Sequence, residues 1–167
     1  MTDCTIIAGF AGVGKTTLAQ KYKNVFDIES SLYKWDNTEY ENISIEQRKG
    51  LIRKQNSLWP QNYINEIKSK MLKYNVLLVW VHPDVLEIYD NENIPYIICY
   101  PCKEALEEYK QRFIKRGNNE DYINKVINTY DLRVQQWNEK SNKKIILGCN
   151  ETLEDYLINH DYELILK

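Results

Sequence analysis

Apolar residues along this chain gather into short unbroken runs, separated by longer stretches with helical spacing. The runs fall at 4–8, 25–29, 76–81, 96–100 and 144–148, and a shorter one at 162–166 is a candidate sixth strand. Each run is nearly continuous rather than alternating, the pattern of parallel strands buried on both faces. Helices are predicted over about 15–23, 61–74, 83–90, 103–116, 120–139 and 152–159. Ala105, Leu106, Tyr109 and Phe113 form an apolar stripe in one, and Ile123, Ile127, Tyr130, Val134 and Trp137 form another. Strands alternating with helices predict an α/β doubly wound sheet.

Two stretches interrupt the alternation. Between the last two stripes, Arg116-Gly117-Asn118-Asn119-Glu120-Asp121 reads as a helix stop and restart. Gly117 suits the left-handed residue beyond a helix end, an Asn can cap the next helix, and two acids fill its first turn. This predicts a helix–turn–helix arm projecting from the sheet. Residues 30–60, ending at Trp59-Pro60, are the least regular part, and a loop of that length inside a compact domain is usually functional.

The first apolar run leads directly into chemistry. Residues 9–16 read Gly9-Phe10-Ala11-Gly12-Val13-Gly14-Lys15-Thr16, which fits G-x-x-x-x-G-K-[ST] at every fixed position. Strand before and helix after is the context this pattern needs. In such a loop successive backbone N–H groups cradle phosphates, aided by the positive end of the helix. Lys15 would reach the β- and γ-phosphates of ATP, and Thr16 would place a hydroxyl on Mg²⁺. Gly9, Ala11, Gly12, Val13, Gly14, Lys15, Thr16 and Thr17 are therefore the expected cofactor contacts. Three of the six glycines lie in this loop, which argues against a chance turn.

Composition narrows the classes. With 167 residues and 43% apolar content, the chain is expected to be one domain, 1–167, with a full core. A net charge of −2 excludes a globally basic nucleic-acid binder, so nucleic acid is not the expected partner. Locally, 45–75 has seven basic residues against two acidic, and 24–43 has five acidic against one basic. Solvated surface explains most of these. The N-terminus has no signal-peptide pattern, and the longest apolar run, 76–81, is far too short to cross a bilayer, so no membrane partner and a cytoplasmic location are expected. Four cysteines are too few for a disulfide framework. Cys99 and Cys102 have redox spacing, but incidental thiols are the simpler reading.

Ligands of an open parallel sheet bind beyond the carboxyl ends of its strands. There the second run offers Asp27, Glu29 and Ser30, and the third ends at His82 with Asp84 beyond. No apolar run ends cleanly in the aspartate that often organises Mg²⁺, so Asp27 is the leading candidate for that task. Glu108, Arg112 and Arg116 recur every four residues, which a solvated ion-pair stripe also explains. Arginines before a flexible turn nevertheless suit a closing segment that neutralises a transferred phosphoryl group and excludes water.

Taken together, the loop at 9–17, Asp27-Ile28-Glu29-Ser30-Ser31, Trp59-Pro60-Gln61-Asn62-Tyr63-Ile64, the strand ending in His82 and Arg112-Phe113-Ile114-Lys115-Arg116-Gly117-Asn118 resemble P-loop nucleoside monophosphate kinases. The likeness is to their small bacteriophage-type branch, with a lid similar to that of guanylate kinases. It implies a three-layer P-loop kinase fold, with a five-stranded, mainly parallel sheet, the phosphate-loop strand central, helices on both faces and a helical lid at 112–125. It also implies an acceptor-binding region at 30–60, ATP and Mg²⁺ as cofactors, and transfer to a (deoxy)nucleoside monophosphate. Lys15, Arg112, Arg116 and Asp27 would be catalytic. Ser30, Arg53 (or Arg48 or Lys54) and His82 would meet the phosphate-bearing acceptor, with Tyr33, Trp35 or Trp59 on its base. Two readings compete: a P-loop kinase for another acceptor, such as a metabolite or a nucleic-acid 5′-hydroxyl, and an ATP-binding switch or ATPase.

Overall fold

The computed structural model describes residues 4–167. Five strands form one parallel sheet in the order β2-β3-β1-β4-β5, with β1 Thr5–Gly9, β2 Val25–Asp27, β3 Val76–Trp80, β4 Ile97–Pro101 and β5 Lys144–Leu147. The protein is therefore α/β, as the continuous apolar runs predict. Ile6, Ile7 and Ala8 are consecutive, point alternately to opposite faces and are all buried, so helices cover both faces.

Strand β1 is central. It pairs with β3 from Thr5 opposite Val76 to Gly9 opposite Trp80, and with β4 from Ile7 opposite Ile97 to Gly9 opposite Cys99. The chain leaves β1 toward β2 on one side and leaves β4 toward β5 on the other. The crevice between the carboxyl ends of β1 and β4 is thus the place where a ligand fits.

Nine α-helices connect the strands among the described residues: α1 Lys15–Lys21, α2 Ser31–Lys34, α3 Ile45–Arg48, α4 Gln61–Met71, α5 Pro83–Asn91, α6 Leu106–Lys115, α7 Glu120–Asn128, α8 Tyr130–Asn138 and α9 Leu153–Asn159. None is long and apolar enough to cross a membrane. Residues 30–60 hold α2, α3 and a 3₁₀ turn at Thr38–Tyr40 instead of one open loop.

Three expectations are corrected. The run at 162–166 supplies only one antiparallel bridge, Leu166 to Tyr22, because its neighbour there is the end of α1 and not a strand. The helix expected over 120–139 breaks at Thr129, whose hydroxyl donates to the Lys125 carbonyl at 2.7 Å and competes with the backbone ladder. The arm does not project. Tyr109 and Phe113 of α6, Ile123 and Val126 of α7, and Tyr130 and Trp137 of α8 are all buried, so both stripes lie against the core.

Candidate functional site

The phosphate loop begins where β1 ends. Phe10 N–H donates to the Cys99 carbonyl at 2.8 Å and seats the loop over the β1–β4 crevice. Gly12 and Gly14 have φ of +83° and +100°, a region that favours glycine. A Cβ at Gly12 would also lie 2.9 Å from Cδ1 of Tyr109, so α6 packs directly on the loop. The loop's carbonyls are tied from outside: Gly12 accepts from Arg112 Nη1 at 2.9 Å, and Val13 accepts from Leu153 N–H at 3.1 Å. Among the described residues no hydrogen bond uses the N–H groups of residues 11–17. These amides are the donors that an anion at the loop would meet.

Lys15 curls back over the loop, donating to the carbonyls of Gly9 at 2.8 Å and Phe10 at 3.1 Å. Its ammonium also lies 5.2 Å from the centre of the Trp80 ring. Burial pulls its pKa below the ordinary value, against the opposing pull of the Asp27 and Glu29 carboxylates.

The adjacent Thr16 Oγ1 donates to Asp27 Oδ2 at 2.7 Å. Asp27 is the last residue of β2, and burial pushes its carboxyl up, opposed by Lys15 and Thr16. The carboxylate beside the loop hydroxyl thus comes from β2. Glu29 turns to its own backbone and accepts from Ser31 N–H at 3.1 Å. A cavity of about 650 Å³ opens beside this pair, lined in part by Thr16, Asp27, Glu29 and Glu46. Among the described residues no three His, Cys, Asp or Glu side chains gather as a metal cage. A hydroxyl next to a carboxylate suits a Mg²⁺ ion that shares its ligands with phosphates and water. Thr17, expected beside Thr16, is exposed at the start of α1.

Arg112 and Arg116 have different positions. Arg112 is half-buried between Gly12, the Glu108 carboxylate and the Tyr109 ring, 4.5 Å from its centre. The second Glu108 oxygen accepts from Asn150 N–H at 2.9 Å, so this ion pair ties α6 to both the loop and the β5–α9 connection. Arg116 caps α6 and is exposed, with Glu46 in its field. The restart follows the expected form: Gly117 has φ +75°, and Asn119 accepts from Tyr122 N–H at 2.8 Å. This turn also docks on α3. Asn118 donates to Glu46 Oε2 at 2.9 Å, and Asn119 donates to the Lys49 carbonyl at 2.6 Å. The expected lid therefore touches the expected acceptor region.

The acceptor candidates divide. His82 Nε2 and Ser30 Oγ share a hydrogen bond of 2.8 Å, which joins the ends of β3 and β2. Burial holds His82 well below its ordinary value, helped by Lys34, Arg133 and Lys15, so the ring is neutral. Arg53 stays within its own loop. Its Nη1 donates to Asn37 Oδ1 at 2.9 Å, its guanidinium lies 5.3 Å over Trp35, and its buried Nε has no partner. Arg48 donates to the carbonyls of Ile43 and Glu41. Asp84 accepts from Trp59 Nε1 at 2.6 Å and so orients an indole. Cys99 is buried, which pushes its thiol up to about 12, so the Cys99–Cys102 spacing carries no reactive thiolate there.

Lys34 and Arg133 are not apparent from the sequence, although in the structure the charges of both bear on His82. The one available signal is that Lys34 is the sole basic residue of the acidic stretch 24–43. No protein-family model matches this chain, and no curated protein matches it significantly.

Proposed function

We propose that the chain is a P-loop phosphotransferase of the kinase fold that moves the γ-phosphate of ATP to a (deoxy)nucleoside monophosphate in the cytoplasm. The observation that carries this reading is the Thr16–Asp27 hydrogen bond of 2.7 Å, formed at the mouth of a loop whose amides are free. It pairs the loop hydroxyl with a carboxylate where the phosphates would end.

The amides of residues 11–17 bind the β-phosphate region, and Lys15 exchanges its carbonyl partners for phosphate oxygens. Mg²⁺, when bound to ATP, spreads the negative charge of the terminal phosphates. Thr16 and Asp27 would hold that ion's shell. Arg116, exposed at the arm's turn, neutralises charge on the transferred group, while Arg112 fixes the loop. A phosphate oxygen of the acceptor forms the new bond to γ-phosphorus as the bond to the β-phosphate oxygen breaks and ADP leaves. The acceptor oxygen is already ionised, so no general base is required. The docking of Asn118 and Asn119 on α3 keeps water from the reacting group.

Incubating the protein with Mg²⁺-ATP and a panel of ribo- and deoxyribonucleoside monophosphates tests this. One acceptor should raise ATP turnover far above slow hydrolysis, with formation of a diphosphate, and Lys15→Ala should abolish it. Turnover stimulated only by a metabolite or an oligonucleotide, or tight ATP binding that nothing accelerates, would overturn the reading.

A further inference from the structure

Glu108, Tyr109, Arg112 and Phe113 share one broad face of α6, and that face is turned to the phosphate loop. Tyr109 and Phe113 are its apolar half: a Cβ added at Gly12 would meet them at 2.9 and 3.1 Å. Glu108 and Arg112, paired one turn apart, are its polar half.

Two donors hold the loop's carbonyls from outside. Arg112 Nη1 donates to the Gly12 carbonyl at 2.9 Å. The N–H of Leu153, the first residue of α9, donates to the Val13 carbonyl at 3.1 Å. In a trans peptide the C=O of one residue and the N–H of the next point in opposite directions. Holding the Gly12 carbonyl toward α6 therefore turns the Val13 N–H away from α6. Holding the Val13 carbonyl toward α9 turns the Gly14 N–H away from α9. Neither N–H has a hydrogen-bond partner among the described residues. The two clamps thus set the direction of two amides that an anion at the loop would meet.

Glu108 touches both clamps. One carboxylate oxygen pairs with Arg112, and the other accepts from Asn150 N–H at 2.9 Å. The Tyr109 ring, 4.5 Å from the guanidinium, closes a third side of Arg112. Asn150, with φ +60°, lies in the turn where Gly148 N–H donates to Glu151 Oε2 at 2.7 Å, just before Leu153. An ion pair four residues apart on a helix surface contributes little by itself. Here each member has a further bond that leads to the loop.

We infer that Glu108 is a positioning residue of the phosphate loop. Through Arg112 on one side and the Asn150 turn on the other, it fixes the Gly12 and Val13 carbonyls and so aims the Val13 and Gly14 amides at a bound phosphate. Glu108 itself meets no ligand, and Arg112 acts on the loop and not on the transferred group. The inference rests on the phosphotransferase reading only in taking a polyphosphate as the loop's ligand, and binding tests it without turnover.

Calorimetry on the full chain with inorganic tripolyphosphate and with a non-hydrolysable ATP analogue provides that test. Glu108→Ala should weaken both ligands by the same factor, roughly tenfold, because misdirected amides lose charge-assisted hydrogen bonds. Glu108→Gln can still accept from Asn150 but lacks the ion pair, and should fall between, about threefold weaker than the wild type. Arg112→Ala should match Glu108→Ala, and the double variant should be weaker than either by no more than about twofold, since residues that act as one unit are not additive. Glu107→Ala, which removes an exposed neighbour bonded to Gln111, should bind like the wild type. Unchanged or tighter binding in Glu108→Ala would mean that Arg112, once released, meets the phosphates directly, and would overturn the inference. Additive losses in the double variant, a loss confined to the ATP analogue, or a lower Tm with unchanged tripolyphosphate affinity would each overturn it too. If the alanine variant does not fold, the glutamine variant decides, and wild-type affinity there overturns the inference. Tripolyphosphate bound as described, with no diphosphate formed from any monophosphate, keeps this inference and removes the transfer reading.

Discussion

The phosphate loop and the cations whose charges bear on Lys34 handle positive charge in opposite ways. Lys15 is answered locally, by two loop carbonyls and by the nearby Asp27 and Glu29 carboxylates. Lys34, Lys125 and Arg133 come from three separate elements or turns and form no ion pair among the described residues. The Lys15 ammonium thus has partners before any ligand arrives, while the loop's amides stay open for one. Cations carried on separate helices can instead be left without a carboxylate partner. The two regions meet at Trp80, which has Lys15 over its ring and His82 at its edge.

The largest expected effect falls on the loop alone. Lys15→Ala should reduce ATP-dependent transfer by about 10³-fold or more, since the ammonium follows the charge of the transferred group. Acceptor binding measured by calorimetry should survive; parallel loss of both would mean that donor and acceptor share one site. Arg116→Ala should lower kcat by roughly 10–100-fold with an unchanged Tm, because an exposed helix-end arginine contributes charge and no packing. If Tm falls with kcat, Arg116 supports the arm and does not act on the phosphate.

Stability effects are smaller and separate the regions differently. Gly12→Ala introduces both a strained φ of +83° and a Cβ at 2.9 Å from Tyr109, and should destabilise by about 2 kcal/mol in denaturant melts. An unaffected melt would mean that α6 does not bear on the loop. Asp27→Asn should cost activity yet raise Tm by roughly 2 °C at pH 7.5. Burial raises the folded carboxyl's pKa above its unfolded value, so the native state holds the proton more readily. The associated stability is greatest at low pH and is lost as pH rises through the folded value. The advantage of the Asn variant should therefore shrink as pH falls toward the carboxylate range. An advantage that grows on acidification would show that the Lys15 and Thr16 contacts outweigh burial.

The strands were legible because burial on both faces leaves a direct mark, an unbroken apolar run. The predicted run at 25–29 shortens to Val25–Asp27 because β2 lies at the sheet edge with β3 as its sole partner. The arm was misjudged for a related reason: Tyr109 and Phe113 showed a buried stripe, but not that it lies on Gly12. Arg53 looked available because a basic residue in an irregular stretch shows no partner until Asn37 and Trp35 fold beside it.

The sequence by itself determined the parallel α/β alternation and the loop from Gly9 to Thr16, because both depend on neighbours within a few residues. Hydrophobic periodicity and glycine φ preference act at that range. Tertiary structure alone decided that Asp27 meets Thr16, that α6 packs on the loop, and that His82 meets Ser30. Those contacts join segments tens of residues apart, and nothing in local propensity sets which distant side chains the β2-β3-β1-β4-β5 order brings together.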